Sequence, residues 1–143
     1  MLVREIMTKK VDFIDPEASL SDASKIMRED DVGCLPVGEN DRIIGMITDR
    51  DIVVRAVALG KDLTNLKVRD VMSKPIKYCF EEDPIEDLAQ NLAKNQVHRL
   101  PVLNQDKRLV GIVSLSDLSN KGSSKEATYT ALHGICGQGG AHH

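Results

Sequence analysis

The residues best placed to do chemistry lie in "GMITDRDI", Gly45 to Ile52, where an apolar run stops at Thr48 and two aspartates, Asp49 and Asp51, flank an arginine. Two carboxylates at the end of a buried strand suit four roles: an acid–base pair, a metal site, a clamp for a sugar diol, or the cap of a helix. Thr48 followed three residues later by Asp51 is close to a capping box, in which hydroxyl and carboxylate satisfy each other's backbone amides. An acid in the first turn also favours the helix dipole. The same geometry can bind a ligand. A helix start offers N–H donors to a phosphate, and an ionised carboxylate only accepts, so it suits the donating hydroxyls of a vicinal diol. A ribose with its phosphate combines both features. No Cys or His stands beside the aspartates, which makes a poor transition-metal site. The chain has no P-loop and no HExxH, and no Ser–His–Asp or Cys–His arrangement is evident, so it reads as non-catalytic.

An internal repeat selects among the aspartates. "VREIM" at Val3–Met7 recurs as "VRDVM" at Val68–Met72, 65 residues on, and "LPV" at Leu35–Val37 recurs at Leu100–Val102. After one inserted residue near Lys107 the offset is 66, and "RIIGMITDRDI" from Arg42 lies on "RLVGIVSLSDL" from Arg108. Thr48 then aligns with Ser114 and Asp51 with Asp117, whereas Asp49 meets Leu115. The shared feature is therefore Gly-x-x-Thr/Ser-x-x-Asp, and Asp49 belongs to the first copy alone.

Each copy must position that junction with the same elements. The pattern reads as an opening segment, a short strand ("VDFI" or "IKYCF"), a helix, an "LPV" strand, a polar turn, a strand ("IIGMIT" or "LVGIVS") and a closing helix. Leu20, Ala23 and Met27 recur at helical spacing, as do Ile85, Leu88 and Leu92. Ser19 is a candidate N-cap and Pro84 a first-turn residue. The proline of "LPV" suggests a strand start or an edge. The near-continuous apolar strand after it suggests burial on both faces. A single copy of about 60 residues has a marginal core, so two copies sharing a face, with a cleft on either side of a pseudo-twofold axis, are expected. The division expected is 1–62, 63–122 and an extension over 123–143 holding one more helix and a mobile tail, "GQGGAHH". The first closing helix, "DIVVRAVALG", is apolar almost all round. It is either buried within the monomer or an interface for self-association.

Composition narrows the class. The net charge is −3 with scattered cations, and aromatics amount to two Tyr, two Phe and no Trp. That leaves no electrostatic footprint or stacking platform for nucleic acid. No apolar run is long enough to cross a bilayer, and "MLVREIMTKK" has no signal-peptide core. Cys34, Cys79 and Cys136 are widely spaced and form no CxxC pair. They read as reduced thiols of a cytoplasmic protein. Cys136 with His142 and His143 reads as a tail rather than a metal site.

The duplication, the two "LPV" segments, "GMITDRDI" and "GIVSLSDL" resemble a tandem pair of CBS domains (a Bateman module), from about Leu2 to Leu118. "DRDIVVRAVALGKD" and "YCFEEDPIEDLA" resemble stand-alone prokaryotic members. The resemblance implies an α+β fold of two βαββα repeats packed by pseudo-twofold symmetry. It implies a regulatory module binding AMP, ADP, ATP, NAD or S-adenosylmethionine in the cleft between repeats, with no cofactor required. Carried over, Asp51 and Asp117 hold ribose hydroxyls, and Thr48 and Ser114 lie near ribose or phosphate. Basic residues before the proline strand reach phosphates in many members. Here the second copy has His98 and Arg99, whereas the first has Gly33 and Cys34, so asymmetric sites are expected. The alternative is a homodimer with vestigial pockets, and an unidentified protein target fits either reading.

Overall fold

The computed structural model describes residues 1–9, 11–40, 42–74 and 76–137. In chain order the elements are β1 (Thr8–Lys9), α1 (Leu20–Asp30), β2 (Cys34–Glu39), β3 (Arg42–Thr48), α2 (Asp49–Arg55), α3 (Val68–Val71), β4 (Cys79–Phe80), α4 (Ile85–Asn95), β5 (Arg99–Leu103), β6 (Leu109–Ser114), α5 (Leu115–Lys121) and α6 (Lys125–Ile135). They form two compact units, one over Asp12–Ile76 and the other combining Met1–Val11 with Lys77–His143. The units therefore do not coincide with the sequence copies. Each copy's opening segment is built into the unit that carries the other copy's helices and strands.

The exchange is symmetric bond for bond. The Val3 amide donates to the Asp83 carbonyl at 2.9 Å, and the Val68 amide to that of Ala18 at 2.8 Å. Ile85 donates to Met1, and Leu20 to Leu66, both at 3.0 Å. Apolar burial drives the docking. Val3 and Ile6 complete a core with Ile85, Leu88, Leu92, Leu100 and Val113. Val68, Val71 and Met72 complete another with Leu20, Ala23, Met27, Val37 and Ile47.

In the discontinuous unit the sheet order is β1-β6-β5-β4, antiparallel except for the parallel β4–β5 pair. The other unit repeats this topology in reduced form. β2 and β3 pair antiparallel, Ile14 bridges to Val37 in parallel, and Ser73 bridges to Met46 antiparallel. Thus "VDFI" supplies a single bridging residue, whereas its counterpart forms β4. Both hairpin strands carry a register shift at matching places, Val37/Gly38 and Val102/Leu103. Pro101 lies in an interior strand, not at an edge or a strand start. The Pro36 carbonyl accepts from the Ile14 amide at 2.8 Å, so the nitrogen that lacks a hydrogen faces the parallel neighbour. Parallel pairing begins one residue later, at Cys79↔Val102 in the discontinuous unit, so no ladder bond is lost there.

β3 and β6 alternate fully buried and half-buried positions, with Ile47 and Val113 inward, rather than being buried on both faces. Gly45 and Gly111 sit where the opening segments cross these strands. A Cβ on Gly111 would lie 2.5 Å from the Thr8 carbonyl oxygen, and one on Gly45 would lie 2.8 Å from Met72 Sδ.

α1 starts on Ser19, whose hydroxyl accepts from the Asp22 amide at 3.0 Å. Pro84 is the N-cap of α4 rather than part of its first turn. "DIVVRAVALG" breaks after α2 into a short 3-10 turn, Val57–Leu59. Ile52 and Ala56 face the core, but Val53, Val54, Val57 and Leu59 are exposed, at 55%, 47%, 51% and 64%. Burial of this whole helix within its unit is thereby excluded. α6 covers the discontinuous unit with Ala127, Ala131 and Ile135. The glycine-rich tail expected to be mobile lies outside the described residues from 138 onward, and so do His142 and His143.

Candidate functional site

Both strand-to-helix junctions are closed capping boxes. β3 passes into α2 with Thr48 still extended. The Thr48 Oγ1 accepts from the Asp51 amide at 3.0 Å, and Asp51 Oδ2 accepts from the Thr48 amide at 2.9 Å. At the other junction Ser114 Oγ accepts from the Asp117 amide at 3.1 Å, and Asp117 Oδ2 accepts from the Ser114 amide at 2.9 Å. Each cap is worth about 0.5–2 kcal/mol.

The first amide of each helix is also occupied. Asp49 donates to the Gly33 carbonyl at 2.9 Å, and Leu115 to that of His98 at 2.8 Å. In α2 the second amide is taken as well, because the Arg50 amide bonds Asp49 Oδ1 at 2.9 Å. The start of α2 is therefore not a set of free donors for a phosphate. Asp49 acts on its own helix and is not the partner of Asp51. Leu115 has no such oxygen, so the neighbouring amide of Ser116 is not covered in this way.

Each shared aspartate keeps one oxygen in the cap and turns the other toward a cation. Asp51 Oδ1 lies 4.0 Å from Arg55 Nε, and Asp117 Oδ1 lies 3.4 Å from Lys121 Nζ. Asp51 is buried to 9% exposure, yet among the described residues its Oδ1 has no partner closer than the Ser73 hydroxyl at 3.5 Å. An ionised carboxylate has about four acceptor sites, so the oxygen outside the cap has capacity for a further hydroxyl donor.

The expected cations fall at one junction only. Arg99 is exposed and pairs with Ser114 across β5 and β6, and half-buried His98 precedes it. Arg99 thus faces Ser114 across the sheet of the discontinuous unit, and the His98 carbonyl meets the first amide of α5. In the other unit buried Cys34 stands opposite Thr48, and the cation beside Asp51 is Arg55 from its own helix. Burial, aided by the charge of Asp83, pushes the Cys79 thiol up to about 12, which leaves it unreactive. Among the described residues no group of three or more His, Cys, Asp or Glu could hold a metal.

Sequence reasoning missed two residues beside Asp51. The Arg55 guanidinium donates through Nη1 to the Val71 carbonyl at 3.0 Å. The Ser73 hydroxyl lies 3.5 Å from both oxygens of Asp51. Ser73 follows the repeated "VRDVM" directly, and its counterpart Thr8 also bears a hydroxyl. That pairing was the available signal, and only the exchange of segments gives it meaning.

The CBS domain family model matches the chain twice, over residues 3–57 and 68–123. The chain belongs to the CBS domain family. The chain is 37% identical over 136 residues to the CBS domain-containing protein YhcV of Bacillus subtilis, covering 95% of this chain and 96% of that one. The fold is similar to that of the conserved CBS domain protein TA0289 of Thermoplasma acidophilum, with a TM-score of 0.81 at 30% identity, over 94% of this chain and 75% of that one. It is also similar to the CBS domain pair of protein MJ0100 in complex with 5′-methylthioadenosine and S-adenosyl-L-methionine. That TM-score is 0.76 at 26% identity, over 85% of this chain and 94% of that one. The helix α6 lies outside both CBS matches. No helix among the described residues is long and apolar enough to cross a membrane.

Proposed function

We propose that this CBS pair is a non-catalytic cytoplasmic sensor of adenosine-containing ligands, with AMP, ADP, ATP, NAD and S-adenosylmethionine as the candidate set. Asp51 and Asp117 hold ribose hydroxyls through the oxygens left outside the cap, and Thr48 and Ser114 fix those carboxylates. His98 and Arg99 serve the phosphates at the second junction only, so phosphorylated ligands favour that junction over the first. The observation that carries this reading is the matching geometry of the two carboxylates, each with one oxygen in the cap and the other facing a cation. The adenosine-type ligands of the MJ0100 CBS pair support the ligand class. Isothermal calorimetry with each candidate tests it. No heat with any of them at millimolar ligand would reject the sensor.

A second reading, a self-associating protein with vestigial pockets, is favoured by the exposed Val53, Val54, Val57 and Leu59. Single exposed apolar residues are ordinary, but four on one short stretch mark a contact surface. The two readings are compatible, and a homodimer through this face is expected. Sedimentation of Val53→Glu would then show a monomer where the wild type is a dimer.

A further inference from the structure

We propose that Arg55 and Ser73 are positioning residues for Asp51, and that they tie this carboxylate to the opening segment of the second CBS repeat, a link Asp117 lacks. The planar guanidinium fork of Arg55 places Nε 4.0 Å from Asp51 Oδ1 and Nη1 3.0 Å from the Val71 carbonyl. Two residues further on, the Ser73 hydroxyl faces both carboxylate oxygens at 3.5 Å. Ser73 is itself held by reciprocal backbone bonds to Met46, at 2.8 and 3.3 Å, two residues before Thr48 in β3. Carboxylate, guanidinium and strand therefore form a closed ring of contacts within Asp12–Ile76. The chain leaves this unit three residues after Ser73.

The second junction has the parts for a cap but not for this ring. Lys121 replaces Arg55, and its single ammonium reaches Asp117 at 3.4 Å. A lysine is a point charge and cannot span a carboxylate and a carbonyl with a rigid fork. Among the described residues Thr8, the counterpart of Ser73, makes no hydrogen bond to Asp117. A ligand hydroxyl on Asp51 Oδ1 would compete with Arg55 and Ser73 for that oxygen, so occupancy would be felt at Val71–Ser73. That consequence rests on the nucleotide reading, whereas the link itself does not.

The test uses the full chain without ligand, by hydrogen–deuterium exchange at the amides of Met46 and Ser73. Asp51→Asn keeps an oxygen for the Thr48 amide and removes the charge. Arg55→Lys keeps the charge and removes the fork at a half-exposed site, where folding is not at risk. We expect each variant to accelerate exchange at both amides about 3- to 10-fold, with the amides of α1 unchanged. Asp117→Asn should leave Met7–Lys9 at wild-type rates. Unchanged rates at Met46 and Ser73, acceleration spread through α1, or equal acceleration at Met7–Lys9 in Asp117→Asn would each overturn the link. Because no nucleotide enters the measurement, its failure is distinct from failure of the sensor reading, which calorimetry decides.

Discussion

Asp51 and Asp117 divide two tasks between two oxygens. Oδ2 closes the capping box, and Oδ1 faces a cation and, in the proposed sensor, the ribose. Replacing either aspartate by alanine should therefore lower stability by about 0.5–2 kcal/mol through the lost cap. A charge-assisted hydrogen bond is worth about 1.5–3 kcal/mol, so affinity for the ligand at that junction should also fall roughly 10- to 150-fold. Thermal melts with and without AMP separate the two effects. Loss of the cap lowers the melting temperature in both conditions, whereas loss of the clamp removes the ligand-induced rise. Asp49→Ala should behave differently, with a small loss of stability and unaltered affinity, because its carboxylate is bonded to its own helix. The sequence showed the caps because threonine, serine and aspartate at this spacing are a local signal. It hid Ser73 and Arg55, whose contact with Asp51 depends on where a distant segment docks.

Among the elements, the opening segments decide most. The segment around α3 is fastened by Glu17, which pairs with Lys67 and Arg69, each at 2.6 Å. The hydrogen bond from Lys67, followed by the Arg69 and Lys67 charges, holds the Glu17 carboxyl below its ordinary 4.5 despite the opposing effect of desolvation. A lowered pKa means the bridge contributes stability above pH 4.5 and loses it as pH falls through the lower folded-state value. The melting temperature of Glu17→Gln should therefore lie below that of the wild type at neutral pH and converge with it in acid. A scan from pH 7 to pH 3 checks this. Gly111→Ala should be worse tolerated than Gly45→Ala, costing on the order of 1–3 kcal/mol. The nearest atom to the new Cβ is a backbone oxygen at Gly111 but a flexible methionine sulfur at Gly45. Chemical denaturation of both variants gives the order. The helices themselves were legible from apolar spacing at Leu20, Ala23 and Met27. The exposure of Val53, Val54 and Val57 was not, because an apolar run reads the same whether it meets a core or a partner.

For the molecule as a whole, the tandem CBS architecture was readable from "VREIM", "LPV" and the Gly-x-x-Thr/Ser-x-x-Asp junction. The exchange of opening segments was not. Val3 and Ile6 match Val68 and Val71 in apolar character and spacing, so either pair suits either core, and pairing by sequence leaves the choice open. The exchange makes Ile6, at 1% exposure, a core residue of the unit whose other residues begin at Lys77. Ile6→Ala should cost about 2–5 kcal/mol and raise hydrogen exchange in α4 and β6 while sparing α1 and β3. In the proposed sensor the two junctions bind an adenosine-type ligand through Asp51 and Asp117. Calorimetry of AMP against the wild type and the Asp51→Ala/Asp117→Ala double variant tests it most directly. We expect saturable binding to the wild type and its loss in a double variant that still folds. Full affinity in that variant, or no heat from the wild type with any of the candidate ligands, would contradict it.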